Sequence, residues 1–130
     1  MIAAHPRLFS SGRTPLYPSD LPSGWFDLAH NTLEHIEKTL TNEEIDTVMV
    51  SQIKEKWGTL HMSITGPSER EVSVQDILDA AEEASRQVCL TCGRPGIWRD
   101  GLWTRTLCDE HEVAYQRYMT QAGSTTSNAL

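Results

Sequence analysis

The chain of 130 residues has only three cysteines and no long hydrophobic run, and each shortage excludes a class of protein. Three cysteines cannot form the paired disulfide framework of a small secreted domain, and an odd number of thiols is typical of a reducing compartment. No apolar run reaches the roughly 18–20 residues that a membrane-spanning helix needs. The N-terminus has no basic start followed by an apolar segment, which argues against a signal peptide. We therefore expect a soluble protein of the cytoplasm.

Basic residues are also scarce, since 11 lysines and arginines stand against 18 aspartates and glutamates, for a net charge of −7. The imbalance lies in residues 23–88, which contain five basic and thirteen acidic side chains. Residues 89–130 contain four of each kind. Because a phosphate backbone is bound through lysines and arginines that release its counterions, the acidic middle of the chain should repel nucleic acid. The charge pattern favours a protein partner with a basic surface.

The usual signatures of catalysis are missing as well, because the sequence has no Gly-rich phosphate loop and no Ser/His/Asp arrangement. His30, Glu34 and His35 have the spacing H-x3-E-H, which matches neither H-E-x-x-H nor H-x-x-E-H. We expect these three side chains to face solvent rather than to bind a metal. His61 alternates with the apolar residues of its strand and should face the open side of the sheet. The sequence therefore predicts a protein that is not an enzyme.

All three cysteines stand instead in one pattern with a histidine. Cys89, Cys92, Cys108 and His111 read C-x2-C, then fifteen residues, then C-x2-H, which is the ligand set and spacing of a structural zinc site. Three thiolates and one imidazole fill a tetrahedron and leave no position for a substrate water. A CxxC redox pair with an unrelated third cysteine is the alternative, but the βαβ context of such a pair is absent. We predict one structural Zn²⁺ bound by these four residues.

The residues between the two ligand pairs predict the frame of the site. A tight turn, Gly93-Arg94-Pro95-Gly96, follows the first pair, and two short strands at 97–99 and 103–107 flank an Asp100-Gly101 hairpin turn. A helix begins at Cys108 and should end near residues 118–119. A knuckle, a hairpin and a helix that supplies the last two ligands resemble a treble-clef zinc finger. Some treble clefs are nucleases with a histidine on the hairpin, but no histidine occurs between the cysteine pairs.

The acidic middle of the chain predicts an α-β-β-α unit, so the fold class is α+β. Residues 24–40 should form a helix with Ser23 as its N-cap. Residues 46–55 and 58–65 are rich in β-branched or alternating residues and should pair as a two-stranded antiparallel hairpin. A second helix at 73–89 should run directly into the first zinc ligand. The apolar stripe of the first helix consists of Trp25, Leu28, Ala29, Leu33, Ile36 and Leu40.

These predictions divide the chain into four parts. Residues 1–22 form an extended arm, 23–88 the acidic α-β-β-α domain, 89–119 the treble-clef-like zinc module and 120–130 a disordered tail of small polar residues. The arm contains four of the six prolines, which favours a partly ordered segment over a dedicated binding motif. Its side chains that could pack on the domain are Leu8, Phe9, Leu16 and Tyr17.

Aromatic and basic residues occur together in two places and are the candidates for partner contact. Trp57 follows Lys54 and Lys56, and an exposed tryptophan beside cations is typical of a contact patch. The alternative is that Trp57 covers the core. The second group lies on the zinc hairpin, where it suits a protein hot spot, stacking of nucleic-acid bases or internal packing of the module. The candidate partner-binding residues are Trp57, Trp98, Arg99, Trp103 and Arg105.

Four blocks of the sequence carry a resemblance. They are GWFDL from Gly24, QIKEKWGTL from Gln52, CLTCGRPG from Cys89 and WTRTLCDEH from Trp103. In this order, over roughly residues 22–112, they resemble a family of small proteins found in proteobacteria and their phages and prophages. The resemblance implies the same cysteine and histidine ligands, and it implies no activity.

The phage-like setting suggests a function by analogy. Small acidic phage proteins often bind and block a host protein, and an acidic surface can replace phosphate in a basic groove. We therefore expect a zinc-stabilised protein-interaction module that inhibits a host defence complex, such as a CRISPR effector, in the host cytoplasm. The alternative is a nucleic-acid-binding regulator that uses the zinc hairpin. A dimer through the open sheet face or an edge strand is compatible with the sequence, which leaves the oligomeric state open.

Overall fold

A computed structural model describes residues 5–9 and 21–129 of the chain, with the side chains up to residue 121. These ranges contain four α-helices and two two-stranded antiparallel sheets, which confirms the predicted α+β class. Short 3₁₀ turns occur at Pro6–Phe9 and Ser23–Trp25. The regular elements are α1 (Phe26–Thr39), α2 (Asn42–Ile45), β1 (Met49–Lys56), β2 (Thr59–Thr65), α3 (Ser68–Ser85), β3 (Ile97–Arg99), β4 (Arg105–Leu107) and α4 (Asp109–Ala129).

Helix α1 buries the predicted apolar stripe but begins differently from the prediction. Ser23 is not its N-cap, because the Ser23 hydroxyl donates a hydrogen bond to the Thr91 carbonyl at 3.1 Å. The 3₁₀ turn leads into α1, and Trp25 occupies the N-cap position without a side-chain cap. The helix ends at Thr39, as predicted to within one residue. The buried side chains of the stripe are Trp25, Ala29, Leu33, Ile36 and Leu40, while Leu28 is half-buried.

The hairpin of β1 and β2 lies close to the predicted position. The strands pair antiparallel with Lys56 opposite Thr59, and a bulge interrupts the register between Val50 and Gln52. Trp57 and Gly58 form the connection, both with positive φ, at 55° and 77°. Positive φ at both central residues is the pattern of a type I′ turn, whose twist matches that of the strands.

Helix α3 shows that the predicted range 73–89 was wrong at both ends. It begins at Ser68, directly after Pro67, because a proline is well tolerated just before a helix. Its first turn is polar, so the apolar period that locates a helix starts only one turn later. It ends at Ser85, and the chain then extends into a β-bridge between Val88 and Pro95. The helix therefore does not run directly into the metal ligands.

Helix α4 is longer than predicted. Its backbone continues to Ala129, through residues that the sequence assigned to a disordered tail. The predicted arm lies mostly outside the described residues, which include neither Leu16 nor Tyr17. Its described part packs on the domain, where Leu8 is fully buried beside β1. Within the described ranges, no helix is long and apolar enough to cross a membrane.

One hydrophobic core joins the α-β-β-α part to the segment that contains the cysteines. The buried cluster includes Trp25 and Leu33 of the first part and Leu90 and Leu107 of the second, together with Cys89 itself. The division of the chain at residue 88 stays a prediction, but the packing is continuous across it. The metal ligands are therefore attached to the main core and not to a separate small one.

Candidate metal centre

The first ligand pair lies in a tight backbone knuckle. The Cys89 N–H donates to the Arg94 carbonyl at 2.7 Å, and the Gly93 N–H donates to the Cys89 carbonyl at 2.9 Å. Gly93 has a φ of 80°, a conformation that side chains with a Cβ rarely adopt. A Cβ at this position would also lie 3.1 Å from the Gly24 carbonyl oxygen. The glycine therefore allows the chain to turn and brings Cys92 back beside Cys89.

The second pair comes from the β3–β4 hairpin and the helix after it. Ile97 pairs with Leu107, so that Cys108 directly follows the end of the hairpin. Cys108 precedes α4, and its carbonyl accepts the Glu112 N–H at 2.9 Å. His111 lies in the first helical turn, three residues after Cys108, and i, i+3 residues share a helix face. This order of knuckle, hairpin and helix agrees with the prediction, while the treble-clef name remains a resemblance.

The four side chains converge closely enough to bind one metal ion. All ligand atoms lie within 4.8 Å of one another. The Cys92 and Cys108 sulfurs are 3.8 Å apart, and His111 Nδ1 lies 3.2 Å from Cys108 Sγ and 3.6 Å from Cys89 Sγ. A tetrahedral ion with bonds of about 2.3 Å to sulfur and about 2.0 Å to nitrogen has edges of about 3.8 Å between sulfurs and about 3.5 Å between sulfur and nitrogen. The residues present therefore fit a metal ion.

The local hydrogen bonds favour thiolate at one ligand in particular. Burial raises the pKa of the Cys89 thiol, but backbone N–H donors near Cys108, Cys92 and Thr91 outweigh burial and lower the pKa to about 6. The pKa of Cys92 is raised, because burial and its contacts with the Cys89 and Cys108 sulfurs outweigh the lowering by the Arg94 backbone donor. A bound cation would stabilise all three thiolates and remove this mutual repulsion.

The 3₁₀ turn before α1 clamps the knuckle from one side. The Gly24 N–H donates to the Leu90 carbonyl at 2.8 Å, and Trp25 Nε1 donates to the Val88 carbonyl at 2.8 Å. The Trp25 ring is itself fully buried in the core. A Cβ at Gly24 would lie 2.1 Å from the Cys89 carbonyl oxygen, so only glycine fits at this contact. The segment GWFDL is therefore part of the frame of the metal centre.

The tip of the β1–β2 hairpin clamps the segment from the other side. The Thr106 hydroxyl donates to the Gly58 carbonyl at 2.7 Å, and Trp98 Nε1 donates to the Trp57 carbonyl at 2.9 Å. A Cβ at Gly58 would lie 2.9 Å from the Arg105 backbone nitrogen. The block QIKEKWGTL therefore contacts the block WTRTLCDEH, although 48 residues separate Gly58 from Thr106.

Arg105, a predicted partner-binding residue, is engaged inside the chain. It is 5% exposed, and its guanidinium donates to both Glu112 oxygens, at 2.8 and 2.7 Å. The Tyr115 ring lies 4.3 Å from the guanidinium carbon. Hydrogen bonding from Arg105 lowers the pKa of Glu112 to about 2 despite partial burial. The pair fixes β4 to the first turn of α4, where Glu112 follows His111.

The other arginines near the hairpin also meet carboxylates. Arg99 Nη2 donates to Asp109 Oδ1 at 3.0 Å, while its buried Nε has no hydrogen bond and lies 3.7 Å from Glu112 Oε1. Arg94 lies 3.5 Å from Glu110, and both side chains are largely exposed. The basic character that the sequence shows on this hairpin is therefore largely neutralised by the first turn of α4.

The predicted tryptophans occupy three different environments. Trp57 is 70% exposed, so the alternative that it covers the core was wrong. Trp98 is half-buried against the hairpin tip, with the Arg86 guanidinium 5.2 Å from its ring. Trp103 is 38% exposed and meets Tyr115 edge-on at a ring distance of 5.0 Å. The structure thus brings Trp57 and Trp98 together and places Trp103 with Arg105. Partner binding by the five residues stays a prediction.

A second polar cluster was missed by the sequence analysis. His5 is 1% exposed; its Nδ1 contacts the Glu37 carboxylate, and its Nε2 lies 2.9 Å from His30 Nδ1. His30 is therefore not a solvent-facing residue, whereas Glu34 and His35 are exposed as predicted. No local pattern links His5 to α1, because 25 residues separate it from His30. His61 also has a partner, since its Nε2 lies 2.9 Å from Glu82 on α3.

No protein-family model, curated protein or solved structure matches this chain.

Proposed function

We propose that the protein is a non-enzymatic, zinc-stabilised module that binds a protein partner. The observation that carries the proposal is the convergence of Cys89, Cys92, Cys108 and His111. Three soft thiolates and one imidazole are a donor set that suits tetrahedral Zn²⁺. Four protein ligands fill its coordination, so zinc here would supply folding energy rather than activate a water molecule.

The distribution of charge supports a partner with a basic surface. Residues 23–88 carry thirteen acidic side chains against five basic ones, and Glu83 on α3 is among the exposed acids. Arg99 and Arg105 of the hairpin are engaged by carboxylates of α4. An acidic surface accelerates and orients association with a basic one. The same surface disfavours a phosphate backbone, which requires free cationic side chains.

The target class is proposed by analogy with small acidic phage proteins that bind and block host proteins. We propose a host defence complex, such as a CRISPR effector, whose basic nucleic-acid channel the acidic module would occupy in the host cytoplasm. Inhibition would then be competitive with nucleic acid, because both would neutralise the same basic groove.

Affinity capture tests the proposal. The zinc-loaded protein is immobilised and exposed to lysate of its host, with and without nuclease. We expect one basic protein or complex to remain after nuclease treatment. Its affinity, measured with purified components, should fall at least about tenfold for Glu82→Lys with Glu83→Lys and should fall with rising salt. Glu83→Asp, which keeps the charge, is the matched control. An affinity that is unchanged both by the charge reversal and by the salt concentration would refute the acidic contact.

A nucleic-acid-binding regulator that uses the zinc hairpin is the second candidate. The exposed Arg94 and the partly exposed Trp103 favour it, because stacking and phosphate contacts need such side chains. An electrophoretic shift with single- and double-stranded oligonucleotides at low salt tests it. Arg94→Ala is a better variant than Arg99→Ala or Arg105→Ala, because the latter two also remove contacts that hold the module together. A shift that Arg94→Ala weakens would favour this candidate over the first.

A further inference from the structure

We propose that the tip of the β1–β2 hairpin is a docking surface, at which the Trp57 side chain packs into an apolar site of a partner protein bordered by aspartates and glutamates. The tip surface consists of Lys54, Lys56, Trp57 and the neighbouring Arg86. The inference rests on the proposed function only in that the partner is a protein.

The conformation of Trp57 is the first observation. Its φ of 55° lies in the left-handed region, which a bulky aromatic residue rarely adopts and for which asparagine or glycine is preferred in this turn. The side chain is 70% exposed, so it gains little from packing within the chain. Residues that adopt an unfavourable backbone conformation without burying their side chain are concentrated at functional sites. Tryptophan is also one of the residue types enriched among the hot spots of protein interfaces.

The rigidity of the tip is the second observation. Trp98 and Thr106 donate hydrogen bonds to the carbonyls of Trp57 and Gly58, and the Gly58 N–H donates to Glu55 Oε2 at 2.7 Å. The tip is thereby fixed to the metal centre through β3 and β4. A turn whose backbone is held in place before binding loses less conformational entropy in a complex. Trp57 is thus an exposed side chain on a fixed turn.

The charge around Trp57 decides the chemistry of the partner. Residues 23–88 have only five basic residues, and three of them are in the tip surface. Lys56 is exposed and Lys54 half-buried, and among the described residues neither has a carboxylate within ion-pair distance. Arg86 lies over the Trp98 ring, with Glu83 only at 4.0 Å. The carboxylates at the tip are Glu55, which accepts the Gly58 N–H, and Glu83 beside Arg86, so three cations stand against two anions. The tip is therefore net basic on an acidic protein, and its charge complement is a set of carboxylates.

A protein fits this surface better than a single-stranded nucleic acid. Binding of single strands uses several aromatic side chains along a continuous basic groove. Here one exposed indole protrudes from a turn, and the net charge of the whole chain is −7. A protruding aromatic side chain suits a complementary apolar pocket, with the lysines at the rim.

The first test separates a structural role of Trp57 from a binding role. Trp57→Asn puts the preferred residue into the turn, so the variant should bind one zinc and melt at the same or a higher temperature than the wild type. A melting temperature several degrees lower would make Trp57 a structural residue and overturn the proposal.

The second test identifies the ligand chemistry. The zinc-loaded full chain is screened against displayed random 12-residue peptides, and enriched peptides are synthesised and titrated. We expect sequences that combine Asp or Glu with apolar residues. Their dissociation constants should rise at least about tenfold with Trp57→Asn and also with Lys54→Glu plus Lys56→Glu. Glu34→Gln, an exposed change on α1, should leave them unchanged.

Three other binding results would overturn the inference. They differ in whether they support or weaken the proposed function. Basic peptides that bind Trp57→Asn as well as wild type, but lose affinity with Glu82→Lys and Glu83→Lys, would refute the tip and support the acidic contact. Binding of a twelve-nucleotide oligothymidine that Trp57→Asn abolishes would assign the tip to nucleic acid and count against both. The inference would also be refuted if none of the enriched peptides depended on Trp57 for binding.

Discussion

Arg105 and Glu112 form an ion pair whose removal should destabilise the metal-loaded protein. Their side chains are 6% and 13% exposed, and the two hydrogen bonds between them are short. Glu112→Gln removes the charge that compensates a nearly buried guanidinium. Breaking such a pair from one side costs about 3 kcal/mol. We expect a lower urea midpoint with an unchanged slope, measured with the metal bound.

Glu110→Gln is the matched control, because Glu110 is largely exposed and pairs with Arg94 only at 3.5 Å. Exposed ion pairs contribute about 0–1 kcal/mol, so this variant should unfold near the wild-type midpoint. Equal effects of the two substitutions would mean that the Arg105–Glu112 contact does not stabilise the fold.

Single residues also show the limit of inference from sequence. The four ligands could be predicted because their spacing is local and chemically specific. The role of Arg105 could not, because its partner Glu112 becomes a neighbour only when β4 meets α4. The composition of the hairpin predicted that Arg105 lies on a contact surface, whereas in the folded chain it forms an internal ion pair with Glu112. The exposure of Trp57 could not be predicted either, because the dipeptide Trp-Gly does not determine the geometry of the turn.

At the scale of elements, the turn before α1 should determine the affinity for the metal. Gly24→Ala would bring a Cβ to 2.1 Å from the Cys89 carbonyl oxygen, so the turn and the knuckle must separate. Overpacking of this kind costs about 1–3 kcal/mol. Since the displaced backbone carries a ligand, we expect zinc to be lost at a lower concentration of a competing chelator and the melting temperature to fall.

Ser23→Ala is the neighbouring control. It removes one exposed hydrogen bond to Thr91 and introduces no clash, so its zinc competition curve should lie close to that of the wild type. If the zinc competition curve of Gly24→Ala coincided with that of the wild type, the knuckle would not depend on the turn before α1.

Helix α2 is short and depends on its capping box, which predicts a pH response. The Thr41 backbone and side chain bond to Glu44 and lower the pKa of its carboxyl below 4.5. A lowered folded pKa means that the contribution to stability is present above 4.5 and is lost as pH falls below it. Thr41→Ala keeps the backbone donor and removes only the side-chain contribution, so it should raise the pKa of Glu44 part of the way toward 4.5, whereas Thr41→Ser should keep it low. Carboxyl NMR titration measures both, and identical pKa values in the two variants would contradict the capping role.

The same elements show which boundaries a sequence can predict. The interior of α1 and of the β1–β2 hairpin followed from periodicity. The ends of α3 did not, because its polar first turn carries no apolar signal and its end is set by the bridge between Val88 and Pro95. The residues that follow the predicted first helix, from Thr41 to Ile45, form a separate short helix with its own N-cap, which the sequence analysis did not predict.

At the scale of the whole molecule, the metal-binding segment and the α-β-β-α part behave as one packed body. The buried cluster runs from Leu33 through Trp25 to Cys89 and Leu107. Both clamps bind the segment through backbone groups, at Gly24 and at Gly58. The block GWFDL therefore contacts CLTCGRPG, the block QIKEKWGTL contacts WTRTLCDEH, and the two cysteine-containing blocks meet at the metal ligands.

Removal of zinc should consequently unfold the whole protein and not only the segment that binds it. Structural zinc contributes about 10–16 kcal/mol of apparent binding free energy in small fingers, which is comparable with the total stability of a typical domain, about 5–15 kcal/mol. A chelator titration should show loss of zinc, loss of helical circular dichroism and a red shift of the buried Trp25 emission in one shared transition. Even without chelator, the Cys108→Ser variant should resemble the chelated wild type. Added zinc should restore the folded signals of the wild type but not those of the variant. Retention of the helical signal and of the buried Trp25 after zinc release would show that the α-β-β-α core folds without the metal centre.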